Sequence, residues 1–124
     1  MAWKIDYLEE DDIVLVKMLS PADFEGTKQI CVEANAVARE HQSSKYLVDH
    51  RGVEMVLSVS DISEVPDAFR AVGADFEGKT AILLDPESPG SDRLGLLKDV
   101  LAKAWMHFEL FTDENEAKNW LKSV

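Results

Sequence analysis

Trp3-Lys-Ile-Asp-Tyr7 alternates apolar and polar positions, the period of a half-buried strand. Ile13-Val-Leu-Val-Lys-Met18 follows with more β-branched residues and predicts a second strand. The gap between them is turn-sized, so an antiparallel hairpin is expected, with Glu9-Glu10-Asp11-Asp12 as a solvated tip rather than a cation site. Ser20-Pro21-Ala22-Asp23 then reads as a helix start: Ser20 as cap, Pro21 in the first helical position, Asp23 complementing the dipole. Apolar residues at spacings of three and four from Phe24, through Cys31 and Ala34, to His41 give this helix one buried face. His41 is expected to close its C-terminus.

Lys45 to Asp49 predicts a third strand, with Val53 to Leu57 as an irregular extension or loop. A helix is expected from Ser60 to about Val72, capped by Ser60, broken or restarted near Glu64-Val65 by Pro66, and ended by Gly73. Lys79 to Asp85 is a continuous apolar run, typical of a strand covered on both faces. Leu94, Leu97, Leu101, Ala104 and Trp105 mark a third helix, and His107-Phe-Glu-Leu-Phe111 a fifth strand. Ala117, Trp120, Leu121 and Val124 form the apolar face of a last helix. Trp105 and Trp120 read as core rather than as a ligand cage. The order β-β-α-β-α-β-α-β-α predicts an α/β chain, residues 1–124 as one domain, with a single mixed sheet and right-handed crossovers.

Length and charge narrow the function. A chain of 124 residues is long enough to bury a core without disulfides or metal, and 46% apolar with 30% charged residues is a globular balance. A net charge of -11 repels phosphate backbones and anionic bilayers, which argues against nucleic acid and membrane surfaces as partners. A single cysteine, Cys31, is expected in the packing of the first helix. No signal-peptide pattern opens the sequence and no apolar run approaches a membrane span, so a cytoplasmic location is expected.

The ordinary catalytic and cofactor signatures are absent: no G-x-G-x-x-G, Walker loop, G-x-S-x-G, paired cysteines or H-E-x-x-H. The three histidines lack metal-ligand spacing, and no cofactor is implied. Polar groups concentrate where strands end: Asp49, His50, Arg51 and Asp85, followed by Ser58, Ser60 and Asp61. An Asp49–His50–Ser58 triad is disfavoured, because neighbouring residues of a strand point to opposite faces. Phe69, Val72 and Phe76 offer apolar surface for a small ligand beneath a helix weakened by Pro66.

Five features in order carry a resemblance: the aromatic-led first strand, Ser20-Pro-Ala-Asp23, Tyr46-Leu-Val-Asp49, the Ser60-Asp-Ile62 to Val65-Pro66 helix, and Phe111-Thr-Asp-Glu-Asn-Glu-Ala-Lys-Asn-Trp-Leu121. Together they resemble the small bacterial SpoIIAA-like proteins, relatives of the STAS domains of anti-sigma-factor antagonists. The resemblance implies a β-α superhelix built on one mixed sheet. Most such proteins have no assigned function, and some are suspected to hold an apolar ligand. The antagonists carry Asp, then Gly-Val, then Asp-Ser-Ser-Gly with a phosphorylated serine. Asp49, Gly52-Val53 and Ser58 follow that pattern, but Leu57-Ser58-Val59-Ser60 replaces the acid and the glycine.

The leading expectation is a non-enzymatic binding or regulatory module, working through a protein partner or homodimer on the Asp49-to-Asp61 segment. This predicts a flat exposed surface near Ser58 and Ser60 and no interior cavity. The alternative is a carrier or sensor of a small apolar ligand held between the sheet and the middle helix, which predicts an apolar pocket. An enzyme using Asp49, His50 or Asp85 as acid or base is the least favoured reading.

Overall fold

The computed structural model describes residues 2–75, 77–104 and 106–123. Strand β1 (Trp3–Leu8) pairs antiparallel with β2 (Ile13–Met18), as the alternation predicts. The chain then runs through α1 (Phe24–His41), β3 (Lys45–Asp49), α2 (Val59–Ala71), β4 (Lys79–Leu83), α3 (Ser91–Lys103), β5 (His107–Phe111) and α4 (Glu114–Lys122). The five strands lie in the order β1-β2-β3-β4-β5, with β2 to β5 parallel. This is the mixed α/β sheet that the element pattern predicts.

Strand alternation divides the sheet into two faces. Val14, Val16, Tyr46, Val48 and Ile82 project toward α1, α2 and α3. Ile13, Leu47, Ala81 and Leu83 project the other way and are covered by Ala117 and Leu121 of α4. Both faces of the central strands are therefore buried, which explains the unbroken apolar run at Ala81 to Leu83. Trp120 packs against Phe111 at 5.8 Å between ring centroids, in the core role expected for it. Trp105 and Val124, also expected in the core, lie outside the described residues.

Four local readings are corrected. The cap of α1 is Asp23, whose carboxylate accepts from the Gly26 amide at 2.7 Å; Ser20 does not cap it. The amides of Leu19 and Ser20 both donate to the Ala2 carbonyl, which ties the bend after β2 to the hairpin, and the helix starts later. The cap of α2 is Ser58, not Ser60: Ser58 Oγ accepts from Asp61 N at 3.0 Å, and Asp61 accepts from Ser58 N at 3.2 Å. Pro66 neither breaks nor restarts α2, which runs through it. Proline there removes one backbone hydrogen bond, and burial of its ring beside Ile62 and Val65 offsets that loss. Finally, the hairpin tip is not simply solvated. Asp11 pairs with Lys118 and Lys122 of α4, and Asp12 accepts from Tyr7 at 2.7 Å and pairs with Lys45. Beside the hairpin, His41 at the end of α1 stacks on Tyr7, with ring centroids 3.9 Å apart.

The reciprocal capping of α2 gives a first expected result. Ser58→Ala should destabilise the protein by about 1 kcal/mol, read from a shifted urea midpoint, because the Asp61 amide at the helix start loses the Ser58 hydroxyl as its partner. Ser60→Ala, with no capping role, should shift the midpoint much less.

Candidate functional site

The polar residues that end β3 do not converge. Asp49 projects to the α4 face, buried, in register with Lys17 on β2 and Leu83 on β4. Arg51 turns back onto it: Nε and Nη2 donate to the two carboxylate oxygens at 3.0 and 2.9 Å, and the Arg51 amide donates at 3.2 Å. Lys17 lies 3.4 Å away, and Arg51 also reaches Glu114 at the start of α4 at 3.3 Å. His50 points to the opposite face, as alternation requires, and burial holds its pKa below the ordinary imidazole value. Ser58 and Asp61 are occupied with each other, and Ser60 is exposed on the first turn of α2. Asp85 accepts from the Glu87 amide at 3.0 Å, the ordinary turn expected of an Asp-Pro pair.

The Asp49 cluster is a structural lock at the carboxyl end of the central strand β3. The Arg51 guanidinium holds the Asp49 carboxyl down at about 2, opposed by burial and helped by Lys17. Because the folded value lies below the unfolded one of ~3.9, the stabilisation is complete above about pH 4. It is lost as pH falls from there through about 2. Arg51 is 43% exposed, so solvent screening reduces the effect. Asp49→Asn is expected to cost about 1–2 kcal/mol at neutral pH, with the gap to wild type closing by about pH 2. Urea unfolding of both proteins across this range measures it.

The other face of the sheet holds a cavity. Among the described residues, α2 packs chiefly against its neighbours α1 and α3 rather than on a strand. It thus bridges over the middle of the sheet, and a space of about 140 Å³ remains beneath it. Val48 and Thr80, on the two central strands, are only half-buried for this reason. Ile30, Cys31 and Ala34 of α1 form one wall; Phe69 of α2 and Leu94 and Leu97 of α3 complete it. Of the apolar residues expected to line a ligand pocket, Phe69 does so. Val72 instead caps the end of α2, half-buried and away from the lining, and Phe76 lies outside the described residues.

The segment between β3 and α2 closes one end. Residues 53–58 alternate without pairing as a strand: Val53, Met55 and Leu57 are buried, while Glu54, Val56 and Ser58 are exposed. Met55 and Leu57 thereby line the cavity beside His50. The backbone is pinned from the far side. Arg93 donates to the Met55 and Leu57 carbonyls, each at 2.8 Å, and the Met55 amide donates to Pro89 O at 3.0 Å.

A polar group at the opposite end escaped the sequence reading. Asn35 is buried on α1; its Nδ2 donates to Gly73 O at 3.4 Å, and its Oδ1 accepts from the Tyr46 hydroxyl at 3.2 Å. Asp75 and Thr80 lie at the same end. Burial pushes the Tyr46 phenol up to about 12 and the Cys31 thiol up to about 11, so both stay protonated at neutral pH. The available signal was Asn35 itself, a polar residue on the apolar stripe of α1 between Cys31 and Ala38.

This arrangement defines the class of the fold. A crystal structure of an uncharacterized DUF3478-family protein with a SpoIIAA-like fold, from Shewanella loihica PV-4, matches with a TM-score of 0.58 at 18% identity. The match covers 97% of this chain and 92% of that one. The fold of this chain is SpoIIAA-like, as the order of its sequence motifs implied. No protein-family model and no curated protein matches the sequence. Among the described residues, no helix is long and apolar enough to cross a membrane.

Proposed function

We propose that this protein is a non-enzymatic carrier or sensor of a small apolar molecule, held between the sheet and α2. The observation that supports this is the apolar cavity of about 140 Å³, lined from the sheet, all three covering helices and the 53–58 segment. A well-packed interior leaves few voids larger than a water molecule. A void of this size beneath a helix that bridges the sheet is the feature a pure interaction module does not require. A space of this size is large enough to take up a benzene-sized guest.

Native mass spectrometry of freshly purified protein is the first test, and a retained small mass is the expected result. In parallel, Val48→Phe should fill the space from the sheet side. It is expected to weaken binding of any small apolar guest at least ~10-fold, while circular dichroism and thermal unfolding stay close to wild type. An apo mass, together with no response of cavity amides to small apolar compounds, would remove the reading.

A second reading, docking of a protein partner, has its own support on the same segment. Val56 and Val59 flank Ser58 and are 38% and 63% exposed. Val59→Lys would abolish an interaction made there, and a pull-down unaffected by it would set that reading aside.

A further inference from the structure

We propose that the cavity selects uncharged ring compounds carrying one hydrogen-bond donor, and excludes carboxylates. The inference rests on the ligand-site reading above and adds the chemistry of the guest. Three observations carry it.

The first is the sign of the lining. Among the described residues, no lysine or arginine lines the cavity, whereas the Asp75 carboxylate does. His50 lines the other end, where burial favours its neutral form, and the nearest permanently charged bases are otherwise placed. Arg93 spends its Nη1 and Nη2 donors on the Leu57 and Met55 carbonyls. Arg39 acts on Tyr46 from an exposed position on α1, outside the lining. A carboxylate guest would bury its charge unpaired and close to a like charge, which is strongly unfavourable.

The second is the direction of the hydrogen bonds. The Gly73 carbonyl can only accept, so it fixes Asn35 with Nδ2 toward it and Oδ1 toward Tyr46. Oδ1 can only accept, so the Tyr46 hydroxyl must donate to it. The lone pairs of that hydroxyl are what remains for a guest. Asp75 is arranged alike: its Oδ1 accepts from the Glu77 and Gly78 amides at 3.0 and 3.1 Å, and its Oδ2 is a further acceptor. This end of the cavity thus offers chiefly acceptors, with the Thr80 hydroxyl able to donate or accept, and it is complemented by an O–H or N–H.

The third is size and shape. A space of about 140 Å³, with Phe69 and Phe108 among its walls, fits a single ring with a short substituent. A flexible alkyl chain would lose rotor entropy to fit the same space.

The test is an amide chemical-shift titration of the wild-type protein at neutral pH with four probes: toluene, phenol, benzamide and benzoate. Phenol is expected to bind at least ~5-fold more tightly than toluene, and benzamide at least ~10-fold more tightly than benzoate, its charged near-isostere. Asp75→Asn retains the Oδ1 that accepts from the Glu77 and Gly78 amides. It should raise benzoate affinity ~5-fold or more and leave toluene unchanged. Tyr46→Phe should erase the preference for phenol over toluene. Benzoate binding as well as benzamide, or toluene as well as phenol, would overturn the proposal while leaving a ligand site in place. Silence of the cavity amides toward all four probes would overturn the ligand-site reading with it.

Discussion

Replacing Ile62 by alanine is expected to destabilise the protein by about 3–4 kcal/mol, a large share of the stability of a domain this size. Ile62 is wholly buried, and with Val65 it anchors α2 in the cluster that contains Leu94, Leu97 and Leu101. Ile62 shares its cluster with Met55 and Leu57 of the 53–58 segment, Ile82 of β4 and Leu94 of α3, so its loss leaves a void among neighbours held by several separate elements. The measured loss should therefore fall in the upper half of the usual range for Ile→Ala. Val59→Ala on the same helix is the control: Val59 is largely exposed, and its removal should change stability by less than ~0.5 kcal/mol. Urea unfolding measures both. Amide exchange should show α2 opening faster in Ile62→Ala, well ahead of β3 and β4.

Gly90→Ala is expected to destabilise by about 2–4 kcal/mol and also to disturb ligand binding. Gly90 has φ +79°, in the left-handed region, at the cap of α3. A Cβ there would overlap the Met55 carbonyl oxygen and stand 2.8 Å from Arg93 Nη2. Backbone strain and a backbone clash therefore act together. The clash also falls on the strip that closes the cavity, because Met55 is held between Pro89 and Arg93. Stability loss with unchanged affinity for a cavity guest would show that the strip moves as a unit. Stability loss with weakened affinity is the expected result. Gly52→Ala is a useful contrast: its φ is +75°, but nothing lies near the added Cβ, so only the strain term remains.

The fold was legible because each element carries its own signal. β2, β3 and β5 have the expected bounds, since β-branched and aromatic alternation is a local property. The misread positions are those where two local signals competed and a distant contact decided. Ser20 and Asp23 both suit a helix cap, and the Ala2 carbonyl settled the matter by tying the Ser20 amide to the end of the hairpin. Ser58 and Ser60 are likewise both good caps, but only Ser58 has an acid three residues on at Asp61. Pro66 reads as a breaker when only the backbone is counted, and as a core residue once its neighbours are known.

The candidate site was legible only in part, for a different reason. Strand alternation correctly separated Asp49 from His50, and the apolar potential of Phe69 was visible. A cavity, however, is a property of how far apart elements stand, and the stand-off of α2 from the sheet is set by α1 and α3 on either side of it. No residue of α2 announces it. Asn35, Tyr46 and Asp75 come from three separate segments, and their convergence is tertiary.

The sequential order of the strands has a kinetic consequence. From β2 to β5, each strand is laid beside the one that preceded it in the chain, so nearly every pairing joins near neighbours in sequence. Such a chain can be assembled progressively, one β-α unit at a time, without first closing a long loop. The exception is α4, which crosses back beneath β3 and β4 and ties Lys122 to Asp11 at the far end of the sheet. Docking of α4 is therefore the natural late step of folding. Substitutions at Ala117 or Leu121 should speed unfolding more than they slow folding.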